Sequence, residues 1–169
     1  MGWDGDRIAL IGASAGGNLA LGVLALDGRE NGSVVRAAVL IVPAVDQALT
    51  PDRLTSRLQK PFVNAGLLRL VDIAYLDETT DRKDPLVSPA YLGDELAALP
   101  PLLVITAEYD TFRPFIDRFA EDVRGRGVAV DQRMFEGVDH GFYYDKSTPE
   151  PMLQSLMTSI RDHLLTPLR

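Results

Sequence analysis

The chain has 169 residues, enough for one domain with a buried core, and its 46% hydrophobic and 24% charged residues fit a folded globular protein rather than a disordered one. A formal net charge of -7, with 17 basic residues scattered along the chain, argues against nucleic acid, since a phosphate backbone selects clustered Lys and Arg. The absence of cysteine excludes disulfides, thiolate catalysis and Cys-ligated zinc, and an acidic, cysteine-free domain without an export signal reads most simply as cytoplasmic.

Arg7 to Ile11 is an apolar run ending in Gly12 and reads as a strand. Ala15 to Leu26 is a nearly all-apolar helix, and therefore a buried one. The uncharged run Ile8 to Leu26 is long enough to resemble a membrane span. But Gly12, Ser14, Gly16, Gly17, Asn18 and Gly22 interrupt it, and Asp4 and Asp6 stand where a signal peptide wants positive charge. A buried strand followed by a buried helix explains the run better, and no stable membrane insertion is expected. Val35 to Val42 is a second strand, stopped by Pro43.

The stretch from Asp46 to about Leu99 breaks this alternation. It holds two Pro-punctuated pieces and one helix, capped by Asn64, that presents Leu67, Leu70, Val71 and Ala74 at helical spacing. So long an insertion between two strands is uncommon unless it is functional, so residues 46–98 are expected to form a cap or lid. A plain crossover is the alternative. Leu102 to Ala107 is a third strand, Phe112 to Arg124 a helix ended by the Gly125 to Gly127 turn, and Val128 to Phe135 a fourth strand. Met152 to Leu165 closes the chain as an amphipathic helix. Short strands alternating with helices, without internal repeats, imply an α/β fold: a mostly parallel sheet with flanking helices.

The strongest chemical signal is Gly12-Ala13-Ser14-Ala15-Gly16, a G-x-S-x-G pattern placed where a strand ends and a helix begins. There Ser14 would occupy a strained turn with Oγ lifted toward solvent, and a Cβ at either flanking glycine would clash. The N–H of Ala15, at the helix N-terminus, would point at a developing oxyanion. A Gly-rich turn gripping a phosphate is the competing reading, but no Lys follows and the G-x-G-x-x-G spacing is absent. A serine hydroxyl needs a base. Of the two histidines, His163 sits in the closing helix, whereas His140 follows the fourth strand between Gly137 and Gly141, where ligands bind in open α/β sheets. For the acid, Asp110 ends the run after the third strand; Glu108 and Asp139 compete with it. The chain order Ser, Asp, His favours Asp110.

Gly12-Ala13-Ser14-Ala15-Gly16-Gly17-Asn18-Leu19-Ala20 resembles the nucleophile segment of the hormone-sensitive-lipase-like esterases, the α/β-hydrolase fold-3 family. Asp84-Pro85-Leu86-Val87-Ser88-Pro89 with Leu99-Pro100-Pro101-Leu102-Leu103-Val104, and His140-Gly141-Phe142, resemble later segments of that family in order. The resemblance implies an α/β-hydrolase fold in which 1–169 is the C-terminal part of one domain. It implies a carboxylesterase or lipase chemistry on small esters, with Ser14 as nucleophile, Asp110 as acid, His140 as base and Ala15 as an oxyanion donor. After the acid this chain reads Thr111-Phe112-Arg113-Pro114, a local departure from the family. The family's His-Gly-Gly loop, which supplies further oxyanion donors, does not occur here; the resemblance therefore implies impaired turnover and a strand Arg7 to Ile11 left as an exposed edge able to self-associate. Phe142, Phe62, Leu67 and Leu86 are candidate pocket liners, with ordinary core packing as the alternative for each. A non-catalytic binding remnant, or an amidase, lactonase or peptidase of the same fold, remain open readings. No metal or organic cofactor is implied.

Overall fold

The computed structural model describes residues 5, 8–29 and 34–165; Asp4, Asp6 and Arg7, used above, lie outside them. Four strands, β1 (Ile8–Ala13), β2 (Val35–Ile41), β3 (Leu102–Ala107) and β4 (Val130–Phe135), make one sheet in the order β1-β2-β3-β4. Every pairing is parallel. The helices are α1 (Ala15–Arg29), α2 (Ala65–Tyr75), α3 (Arg113–Gly125) and α4 (Glu150–Leu165).

The two inner strands read as near-continuous apolar runs because a parallel sheet covered on both faces leaves them no wet side. All six residues of β3 are buried, and in β2 only Arg36 is exposed. Leu21 and Leu24 of α1, Val39 and Leu40 of β2, Leu103 and Ile105 of β3, and Ile116 and Phe119 of α3 form the centre of the core. Each such side chain contributes about 1.5–3 kcal/mol of burial free energy. β4 begins at Val130 rather than Val128, since Leu102 N–H reaches Ala129 C=O and Gly127 is still turning at φ +86°. Pro114 falls in the first turn of α3, where its missing N–H costs nothing.

Among the described residues β1 lies at the sheet edge, paired with β2 alone, and Ile11 is 54% exposed. The expectation of a fully buried α1 is corrected here. The helix buries Gly17, Asn18, Ala20, Leu21, Leu24 and Ala25, while Leu19, Val23 and Leu26 on another face are exposed. The physical reason is that among the described residues no element covers the outer side of β1 or that face of α1.

Between β2 and β3, the insertion holds α2 and three 3-10 turns at Pro51–Arg53, Pro89–Tyr91 and Gly93–Ala98. Its later part is built into the body: Leu92, Leu96 and Leu99 join the core, and Ala98 lies against Gly28 of α1. Asn64 caps α2, its Oδ1 accepting from the N–H groups of Gly66 and Leu67. The helix is present, but the line at helical spacing is not its buried one: Leu70 and Ala74 are exposed, Leu67 and Val71 half-buried, and Leu68 is the buried residue. Leu68 and, at the C-cap, Leu76 are the buried positions, and the partly exposed Asp72 pairs with Arg82 at 2.7 Å.

Candidate active site

The turn from β1 into α1 carries Ser14 at φ +53°, one of two non-glycine residues with positive φ among those described. Such a conformation costs on the order of 1–3 kcal/mol and persists only where surroundings over-determine it. Here they do. Ser14 N–H donates to Ile41 C=O at 2.8 Å, and Ser14 C=O accepts from Gly17, Asn18 and Ala44 N–H at 3.0, 3.2 and 3.1 Å. The other positive-φ residue among those described, Val42 at +43°, directly follows β2 and donates its N–H to Ile105 C=O at 2.8 Å. Buried Asn18 fastens the same corner, donating from Nδ2 to Ala44 C=O at 2.8 Å and Val87 C=O at 2.9 Å.

The glycines divide into two kinds. A Cβ on Gly12 would lie 2.2 Å from Gly16 O, and one on Gly17 would lie 2.7 Å from Pro43 Cβ. A Cβ on Gly16 would meet nothing within 4 Å. The expected clash at both glycines flanking Ser14 is therefore corrected: Gly12 needs the space, Gly16 does not, and Gly17 does. The cause is that α1 leaves the turn with its Gly16 side toward open space and its Gly17 side against Pro43.

Three side chains from three loops meet at this turn. Ser14 Oγ lies 2.7 Å from His140 Nε2, and His140 Nδ1 lies 2.8 Å from Asp110 Oδ2. A carboxylate can only accept, so Nδ1 carries the proton and Nε2 accepts from the Ser14 hydroxyl. His140 and Asp110 are 2% and 4% exposed while Ser14 is half-buried, so only the serine end of the relay is open. The other Asp110 oxygen accepts from Phe112 N–H at 2.8 Å, which fixes the carboxylate plane. Ala15, exposed, opens α1 with its N–H in the first turn, where backbone donors lack intrahelical partners.

The competing acids are occupied elsewhere. Glu108 Oε2 accepts from Gly137 N–H at 2.8 Å, shaping the turn at φ +73° that leads to His140. Asp139 accepts from its neighbour's own N–H, His140, and from Phe62 N–H, each at 2.7 Å. His163 sits in the last turn of α4. Of the four candidate liners, Phe62 is beside the relay, its ring stacked on the imidazole at 5.6 Å and 16°. Phe142 is buried and stacks on Phe135 at 5.1 Å, Leu86 packs against the core, and Leu67 is half-buried on α2. Phe62 and Phe142 also line a cleft of about 690 Å³ with Lys60, Tyr109, Asp139 and Tyr144.

Burial pushes the Tyr143 hydroxyl above its usual range, with Tyr144 and the Asp110 charge adding to the shift, so this phenol stays neutral beside the site. Sequence reasoning passed over Phe112, whose ring meets His140 edge-on at 5.6 Å and 85°, and over Thr111, whose Oγ1 donates to Val63 C=O at 2.9 Å. Neither has a local sequence signal, because both contacts span distant segments. Among the described residues no group of three or more His, Asp or Glu side chains is placed to hold a metal, and no helix is long and apolar enough to cross a membrane.

A family model described as the alpha/beta hydrolase fold matches residues 1–144. An arylesterase of Saccharolobus solfataricus is 30% identical over 165 residues, 96% of this chain and 53% of its own length. An ethyl acetate hydrolase of Pseudomonas putida is 30% identical over 144 residues, 84% of this chain and 45% of its own. The crystal structure of a thermophilic carboxylesterase cloned from a metagenomic library superimposes with a TM-score of 0.85 at 30% identity, over 98% of this chain and 56% of that one. The chain thus spans about half the length of the curated relatives it matches.

Proposed function

The chain belongs to the hormone-sensitive-lipase-like, fold-3 branch of the alpha/beta hydrolases, and on that premise we propose that it hydrolyses small carboxylic esters through an acyl-enzyme on Ser14. The observation that carries this reading is the buried hydrogen-bonded line Ser14–His140–Asp110, 2.7 and 2.8 Å long, ending at a half-buried serine on a strained turn.

In the proposed reaction Ser14 Oγ attacks the ester carbonyl as His140 Nε2 takes its proton. The tetrahedral intermediate collapses, the alkoxide leaves with that proton as an alcohol, and the acyl group stays on Ser14. Water, deprotonated by the same nitrogen, attacks the acyl carbon and releases acid and free serine. Asp110 holds the Nδ1–H tautomer and stabilises the imidazolium. Ala15 N–H is the oxyanion donor we assign. With no His-Gly-Gly in this chain to add others, turnover by these residues alone is expected to fall roughly a hundred- to a thousandfold for each missing donor. Phe62 is the pocket liner carried forward, because it lies beside the base. The names of the relatives, arylesterase and ethyl acetate hydrolase, support an ester substrate.

The test is mass spectrometry after exposure to a fluorophosphonate, with Ser14→Ala and Asp110→Asn alongside. Stoichiometric labelling at Ser14 is expected, absent in Ser14→Ala and slower by roughly ten-thousandfold in Asp110→Asn. A folded chain that takes no label refutes the assignment and moves the non-catalytic binding reading ahead.

Self-association belongs to the same proposal. β1 is as apolar as an inner strand yet pairs on one side, and such an edge templates pairing with another chain. Light scattering should show a mass that rises with concentration, and less so in Ile11→Lys. A monomer at high concentration would contradict this.

A further inference from the structure

Two hydrogen bonds from opposite sides of the relay converge on one dipeptide of the insertion. Phe62 N–H donates to Asp139 Oδ2 at 2.7 Å, and Thr111 Oγ1 donates to Val63 C=O at 2.9 Å. Thr111 directly follows Asp110 and Asp139 directly precedes His140, so each buried relay partner has a neighbour gripping the same two residues. One side of the grip is buried, with Val63 fully buried and Thr111 2% exposed, while the Phe62–Asp139 bond lies at the surface. Between the two bonds the Phe62 ring lies against the His140 imidazole, centroids 5.6 Å apart and planes 16° apart, with Phe112 meeting the imidazole edge-on.

We propose that Asp139 and Thr111 are positioning residues that clamp Phe62-Val63 so that the Phe62 ring sets the plane of the His140 imidazole. The second imidazole torsion is soft, since a torsion onto an sp² ring has broad wells. The Nδ1–H bond to Asp110 persists through the reaction but holds one edge of the ring only, and the bond at Nε2 cannot restrain the torsion throughout, because Ser14 Oγ loses its proton when it becomes acylated. A stacked ring needs no proton and holds the plane while Nε2 changes partners. Asp139 is suited to this double duty. One oxygen accepts from the His140 N–H and orients the loop, and the other reaches the insertion. Charge-assisted bonds to backbone N–H are roughly twice as strong as neutral ones.

The catalytic consequence rests on the ester-hydrolase reading; the geometry of the clamp does not, and the experiment separates them. Asp139→Ala, Thr111→Val and Thr111→Ser are made in the full chain, checked by thermal unfolding, and compared in two ways. Proton NMR follows the His140 ring C–H resonances, which the Phe62 ring current displaces. Fluorophosphonate kinetics follow Ser14. In Asp139→Ala and Thr111→Val the ring resonances should move toward free-histidine positions, and the labelling rate should fall about ten- to a hundredfold, since an ångström of misplacement costs that order. Thr111→Ser, which keeps the hydroxyl, should restore both. If Asp139→Ala fails to fold, the Thr111 pair decides alone. Ring resonances unchanged in Thr111→Val overturn the clamp; moved resonances with an unchanged labelling rate overturn its role in positioning the base. If the wild-type chain takes no label, the hydrolase reading falls, and the clamp is judged by the resonances.

Discussion

Gly12 and Gly16 look equivalent in the sequence, one on each side of Ala13-Ser14-Ala15, and the structure makes them opposites. In Gly12→Ala the new Cβ would sit 2.2 Å from Gly16 O, 2.6 Å from Gly16 C and 2.8 Å from Gly17 N, all backbone atoms with no side chain to swing away. Cβ contacts essentially never fall under 3.0 Å, so the β1–α1 junction must open by 0.8 Å, the difference from 2.2 Å. That junction is tied by the Ser14 N–H bond to Ile41 at 2.8 Å and by the Gly17 and Asn18 N–H bonds to Ser14. Overpacking costs about 1–3 kcal/mol, and straining one of these bonds adds about 1 kcal/mol. The expected loss is about 2–4 kcal/mol, a lowering of Tm by roughly 5–15 °C for a chain of this size. Gly16→Ala meets open space inside a helix, where Ala is better than Gly by up to about 1 kcal/mol. Its Tm should hold or rise by roughly 3 °C. Thermal unfolding followed by circular dichroism reads both. Equal losses at the two positions, or a Gly12→Ala chain melting with wild type, would refute the steric account.

Two further perturbations follow from named contacts. Asn64→Ala removes the acceptor for two N–H groups of α2 and should cost about 1 kcal/mol in urea unfolding; no change would mean that water caps the helix equally well. Asp117 is held above its ordinary 3.8 by burial, which outweighs Arg113 and the Gln132 amide. The native state therefore binds its proton more tightly than the unfolded chain, and stability from this group is lost as pH rises through the carboxylate range. Asp117→Asn should gain on wild type from acid toward neutral pH, by a small amount given its partial exposure. A variant that loses ground over that interval would show that the Arg113 pair outweighs burial.

What was legible in the sequence is what depends on neighbours along the chain. The strand–turn–helix context of Ser14, the Asn64 cap and the apolar runs of β2 and β3 are local patterns, and the structure keeps each within a few residues. The meeting of Ser14, Asp110 and His140 was legible as chain order and as three strand ends, and parallel topology turns these into proximity, because β1, β3 and β4 all end at the same side of the sheet. The face of α2 was not legible. Periodicity offered Leu67, Leu70, Val71 and Ala74, but the buried positions are Leu68 and, at the C-cap, Leu76.

The same logic applies to Thr111 and Asp139. In the sequence Asp139 stands as a rival acid beside His140, and Thr111 as part of a departure from the family pattern. Their partners lie 77 and 48 residues away. Sequence adjacency to the relay is what makes those long bonds matter. A side chain next to Asp110 or His140 shares its backbone, so a tether there restrains the reacting group without touching it. Phe62 receives the Asp139 tether and Val63 the Thr111 tether, and the Phe62 ring stacks on the imidazole. The insertion is thereby coupled to the base through one ring. Sequence differences at Phe62 and Val63 would then alter the orientation of His140.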